Sequence, residues 1–193
     1  VNSEDNRDRE ALDRWQAERR ERLAAILLSG RPAEFAAPGD LDPRLAAWAS
    51  GLAAGKTRNL ILTGPVGTGK TWAVWRAAEH AVRAGYEGRV IVGTAARLRR
   101  IVAPATANPA EFVKWTDAGL LVIDDLAAVR LSEWDMDHLL ELVDARWADR
   151  RPLAVTSNVT ALKPLLGERI ASRLQHGALF VELDGPDRRR QGA

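Results

Sequence analysis

Cysteine is absent from the 193 residues, which rules out disulfide frameworks, thiolate zinc sites and a catalytic thiol. That suits a reducing cytosol. Histidine is scarce, with His80, His138 and His176 scattered along the chain, so a metal site built from protein side chains alone is not expected. Methionine occurs once, at Met136; either the native start is missing or Val1 stands for a non-ATG start codon, and the N-terminus is expected to be incomplete. No apolar run approaches the roughly 18 residues of a membrane span, and no charged-then-apolar signal segment opens the chain. The expectation is a soluble, cytoplasmic protein with no membrane partner. A large excess of one charge is missing too: 28 Lys and Arg against 26 Asp and Glu leave a net +2. Nucleic-acid contact is permitted but not demanded.

What is present is periodicity. From residue 2 to 22 almost every other residue is charged, and Leu12, Trp15, Leu23, Ile26 and Leu27 recur at roughly helical intervals, which predicts an amphipathic helix. The following "SGRPAEFAAPGD" is rich in breakers and reads as a linker. Residues 1–40 are therefore expected to be a short N-terminal helical extension and linker, and 41–193 the main domain, opening with a helix over 43–54. Beyond residue 59, short apolar runs ("NLILT", "RVIVGT", "LLVIDDL", "PLAVTS", "LFVEL") alternate with longer amphipathic stretches. Runs without polar alternation are buried on both faces, which predicts an α/β domain with a five-stranded parallel sheet flanked by helices.

"GPVGTGKT", residues 64–71, matches G-x-x-x-x-G-K-[ST] between a strand and a helix, the setting in which that motif holds a nucleotide polyphosphate. Gly64, Pro65, Val66, Gly67, Thr68 and Gly69 supply the loop whose N–H groups face the phosphates, and Trp72 follows it directly. Lys70 is placed to reach the β- and γ-phosphates, and Thr71 to hold Mg²⁺. The cofactors expected are thus ATP and Mg²⁺. "LLVIDDL" ends in two carboxylates: Asp124 is expected near the metal, and Asp125 to orient or polarise the attacking water. Asn158, in "TSN" after the fourth strand, offers an amide to the γ-phosphate or that water.

Taken together, the phosphate loop, the Asp-Asp strand end, Asn158 and "LLGERIASRL" resemble the DnaC/IstB-like helicase-loader family of AAA+ P-loop ATPases, over about 59–190. "DARWADRRPLAVTSN" adds to the likeness. The resemblance implies that Arg173 is an arginine finger supplied in trans, with Arg169 on the same helix face as second choice, and that Asn158 falls on the sensor 1 position. It also implies a sensor 2 arginine past the last strand, for which Arg188 is favoured over Arg189 and Arg190. No C-terminal lid domain is expected after the last strand.

In that family the helix after the second strand faces single-stranded DNA, which implicates Arg97, Arg99 and Arg100; a merely solvated helix face is the alternative. No aromatic residue interleaves with these arginines in sequence, so a stacking platform is not evident. The resemblance implies that residues 1–40 bind the partner, the helicase or the transposase complex; the first helix either presents its apolar face to that partner or packs on its own ATPase domain. The reading these signals favour is an ATP-hydrolysing helicase loader acting on a replicative ring helicase in an ATP-dependent oligomer. The alternatives are an IstB-like transposition helper ATPase and an adaptor that binds ATP without hydrolysing it.

Overall fold

A computed structural model describes residues 2–56 and 59–187. Five parallel strands, β1 (Leu60–Thr63), β2 (Val90–Thr94), β3 (Leu120–Asp124), β4 (Leu153–Ser157) and β5 (Leu179–Glu182), lie in the order β2-β3-β4-β1-β5. All five expected strands are present. Register is continuous across the middle of the sheet, with Leu62 opposite Thr156 and Val122 opposite Ala154.

Strand alternation divides the apolar residues between two cores, because successive side chains point to opposite faces. Leu60, Leu62, Leu120, Val122 and Ala154 pack beneath α1 (Asn2–Ser29), α2 (Pro43–Ala53) and α3 (Lys70–Arg83). Ile61, Leu121, Ile123, Leu153 and Val155 pack beneath α4 (Ala95–Val102), α5 (Pro109–Asp117), α6 (Glu133–Ala148) and α7 (Lys163–Gln175). The single helix expected between the second and third strands is two, α4 and α5, because Pro104 and Pro109 interrupt the pattern and Asn108 caps the second. Among the described residues no helix is long and apolar enough to cross a membrane.

The N-terminal helix lies along α3. Ala24 and Leu27 are buried there, while Leu12, Trp15 and Ile26 remain exposed. A buried carboxylate fixes the contact: Glu79 of α3 receives Arg76 at 2.9 Å, Arg83 at 3.1 Å and Arg31, just beyond α1, at 3.3 Å. Arg83 also bonds Glu21 of α1. Only the C-terminal part of the apolar face read from the sequence is therefore covered by this chain.

Arg146 is the least ordinary core residue. It is 1 % exposed and forms no ion pair among the described residues; its guanidinium donates to the carbonyls of Trp115 (3.0 Å), Thr116 (3.0 Å) and Ala118 (2.8 Å) at the end of α5. A cation at a helix C-terminus satisfies acceptors that the helix leaves open. Burial nevertheless pulls its pKa down to about 10. Arg146→Met keeps most of the volume but strands those carbonyls, so urea unfolding should report a loss of about 3 kcal/mol, with unchanged nucleotide affinity in the folded fraction.

Candidate functional site

β1, β3 and β4 are neighbours, so the loops leaving their carboxyl ends meet at one edge of the sheet, where open α/β folds hold ligands. The structure brings residues 64–72, Asp124, Asp125 and Asn158 together there. A cleft of about 500 Å³ is lined by Val66, Gly67, Lys70, Trp72, Asp125 and Asn158, among others, a size typical of small-molecule sites.

The phosphate loop is built for close approach. Gly64 has φ +143°, and a Cβ there would meet the Leu183 carbonyl oxygen at 2.1 Å, so only glycine lets the loop seat against the end of β5. Thr68 is buried and its hydroxyl donates to the Pro65 carbonyl at 2.9 Å. Lys70 Nζ donates to the Gly64 and Pro65 carbonyls, each at 2.7 Å. The ammonium is thus held over the loop, at the start of α3, where backbone N–H groups and the helix dipole favour an anion.

Thr71 Oγ1 donates to Asp124, 2.9 Å from Oδ2 and 3.2 Å from Oδ1. Thr156 Oγ1 donates to Asp124 Oδ1 at 2.6 Å and accepts from the Asp125 N–H at 2.8 Å. Burial, the largest influence, pushes the Asp124 carboxyl above its usual value, and the Thr156 and Thr71 hydrogen bonds oppose it. Asp125, by contrast, is exposed and sits at φ +56°, a left-handed conformation that costs a non-glycine residue about 1 kcal/mol. Thr156 ties that backbone in place and directs Asp125 outward. Nothing in the sequence singled out Thr156, which reads there as one more buried strand residue.

The linker was missed as part of the site. Glu34, Phe35, Ala37, Pro38, Gly39 and Asp40 line the same cleft as the phosphate loop. Trp72 Nε1 donates to the Ala37 carbonyl at 2.8 Å, and a Cβ on Gly39 would meet the Trp72 ring at 2.9 Å. Breaker-rich composition announces a loop but not what the loop folds against.

The two α7 arginines lie elsewhere. Asp144 of α6 receives Arg169 at 2.8 Å and Arg173 at 2.7 Å, which confirms their common helix face. Arg173 also stands over the Trp147 ring, 5.4 Å from its centroid. Its backbone carbonyl accepts from Asn59, the residue before β1. The length of β1, about 13 Å, therefore separates this region from the phosphate loop of the same chain.

On α4, Arg97 is bound to Glu111 at 2.6 Å and Arg99 lies 3.9 Å from Asp135. Arg100 is exposed. Arg188, Arg189 and Arg190 lie outside the described residues.

The IstB-like ATP-binding protein family model matches residues 7–192. The ATP-binding protein of an IS21-like insertion sequence from Bacteroides fragilis is 28% identical over 193 aligned residues, covering 90% of this chain and 72% of that protein. An insertion-sequence ATP-binding protein of Mycobacterium tuberculosis is 32% identical, covering 68% of this chain; the chain spans 55% of its length. The crystal structure of the DnaC helicase loader superposes with a TM-score of 0.65 at 14% identity, covering 78% of this chain and 96% of the loader. That likeness shows that the two share a fold. With the phosphate loop, paired aspartates and cleft in place, the continuous family match shows that the chain belongs to the IstB-like ATP-binding proteins.

Proposed function

We propose that this protein is the ATP-hydrolysing helper of an IS21-type insertion sequence, an assembling switch that binds DNA and recruits a transposase. The observation that carries this reading is the match to IstB-like proteins along nearly the whole chain, with insertion-sequence relatives on both sides of 30% identity. Helicase loading, the reading first favoured from the sequence, is supported by likeness of fold to a loader. Fold does not carry function.

ATP with Mg²⁺ supplies the phosphoanhydride bond and the neutralising charge. The chain's own residues do the rest. The loop N–H groups and Lys70 bind and orient the β- and γ-phosphates. Thr71 and Asp124 would hold the metal; no cluster of three or more candidate ligands occurs among the described residues, which fits an ion shared with phosphate oxygens. Asp125 accepts the proton of the attacking water, and Asn158 fixes that water or the γ-phosphate. Arg173, distant from its own loop, serves the site of a neighbouring copy.

The test is capture of the full chain, with and without ATP, by an IS21-type transposase and by a replicative ring helicase. ATP-dependent capture by the transposase is the expected result, together with an Asp125→Asn protein that binds ATP normally but turns it over about 100-fold more slowly. Capture by the helicase alone would return the assignment to helicase loading. Asp125→Asn hydrolysing at the wild-type rate would remove Asp125 from the mechanism.

A further inference from the structure

The sheet face covered by α4 to α7 carries an aromatic group that the nucleotide site does not use. Trp134 is the second residue of α6, and the Ser132–Asp135 capping box fixes the start of that helix. The indole Nε1–H donates to the Val102 carbonyl at the end of α4, 2.7 Å away. His138, one turn along, lies against the indole with ring centroids 4.6 Å apart, and Phe112 of α5 meets His138 edge-on at 5.8 Å. The ring is thereby held at its nitrogen and supported on its side. Even so, 49% of Trp134 is exposed.

One cation of α4 lies at the same spot. Val102 and Arg99 are three residues apart on that helix and so share a face, and Arg99 Nε lies 3.9 Å from Asp135, the residue after Trp134. That contact is longer than a hydrogen bond, and the same Asp135 oxygen accepts from the Ser132 N–H at 2.9 Å and the Ser132 hydroxyl at 2.7 Å, so the guanidinium donors of Arg99 are not taken up by it. Arg100 is exposed and has no ion-pair partner among the described residues. In sequence the arginines stand without an aromatic; the fold brings one from 34 residues downstream of Arg100.

A rigid, half-exposed indole beside the Arg99 guanidinium, with the exposed Arg100 next in sequence, matches a ligand that presents π-faces and negative charges in succession. We infer that Trp134 is a stacking platform for an exposed DNA base, with Arg99 and Arg100 on the adjoining phosphates. This rests on the DNA-binding part of the proposed function. Because the indole is already oriented, little rotamer entropy is lost when a base settles on it, and stacking of this kind tolerates any sequence. A fully paired duplex keeps its bases stacked on each other and uses only the arginines.

Fluorescence anisotropy of the full chain with ATP, against a single-stranded oligo-dT and a fully paired duplex of equal length, tests the site. Trp134→Leu should bind the single strand about tenfold more weakly, the size of one lost base stack, and the duplex within about twofold. Trp134→Phe keeps a ring but loses the bond to Val102, and should retain most of the single-strand affinity. Arg100→Ala should weaken both DNAs and lower the salt slope by about one. Unchanged single-strand binding by Trp134→Leu overturns the proposal. So does an equal loss in the Phe and Leu variants, which would make the Val102 bond the feature that matters. Wild-type protein that binds neither DNA overturns the DNA-binding reading and this site together, whereas wild-type binding with unaffected variants overturns the site alone.

Discussion

Arg173→Ala should leave ATP affinity within about twofold of wild type and lower hydrolysis by about 10³-fold or more, the scale of an arginine finger. Both halves of that expectation come from where the side chain lies. Arg173 sits at the end of the sheet where β1 begins, beside Asn59, so its removal leaves the loop, Lys70, Thr71 and Asp124 untouched. Its pairing with Asp144 is also easily given up: Nε lies 2.7 Å from Oδ1, yet neither atom has a hydrogen-bond partner in acceptable geometry. A γ-phosphate presented by a second copy offers more charge and better directed acceptors than that carboxylate. A mixing experiment separates trans from cis action. Arg173→Ala keeps a complete nucleotide site and Lys70→Ala keeps a complete finger, so each is inactive alone. An equal mixture should recover activity at about a quarter of head-to-tail interfaces. A mixture as inactive as its components would exclude a finger in trans.

How far the sequence discloses this architecture depends on the range of the contact involved. β1, β3 and β4 were legible because uninterrupted apolar runs such as "LLVID" have one physical home, a strand covered on both faces. The phosphate loop was legible because its function lies in local backbone shape. Side-chain roles that depend on distant segments were not. Thr156 carries no periodic signal that distinguishes it from Val155, yet it joins Asp124 to the Asp125 backbone. Phe35 and Gly39 read as linker, and only tertiary packing, Phe35 on the core under α3 and Gly39 against Trp72, makes them a cleft wall. Arg146 reads as a surface charge in "DARWADRR", but five backbone carbonyls receive it in the interior. Charge patterning in α1 has the same limit. It predicts a helix correctly but cannot say that Leu27 is covered while Leu12 and Trp15 are not.

Lys70→Ala should abolish measurable ATP binding, with at least a 100-fold rise in Kd by calorimetry, while the melting temperature without nucleotide stays within a few degrees. The ammonium is at the first position of α3 and bridges two carbonyls of its own loop, 2.7 Å from each. It holds the loop in a curled shape, and on the proposed reading it would also present a compact cation to the β- and γ-phosphates. Alanine removes both. Lys70→Arg distinguishes them from simple charge, because the guanidinium keeps the cation but is a planar fork that cannot point donors at Gly64 and Pro65 while also reaching into the loop. If compact geometry is what matters, Lys70→Arg should recover no more than about a tenth of the lost affinity. Full recovery would show that a positive charge alone suffices and that the two carbonyl contacts are incidental. The helix dipole and loop N–H groups remain in both variants, so any residual binding measures what the backbone contributes without the lysine.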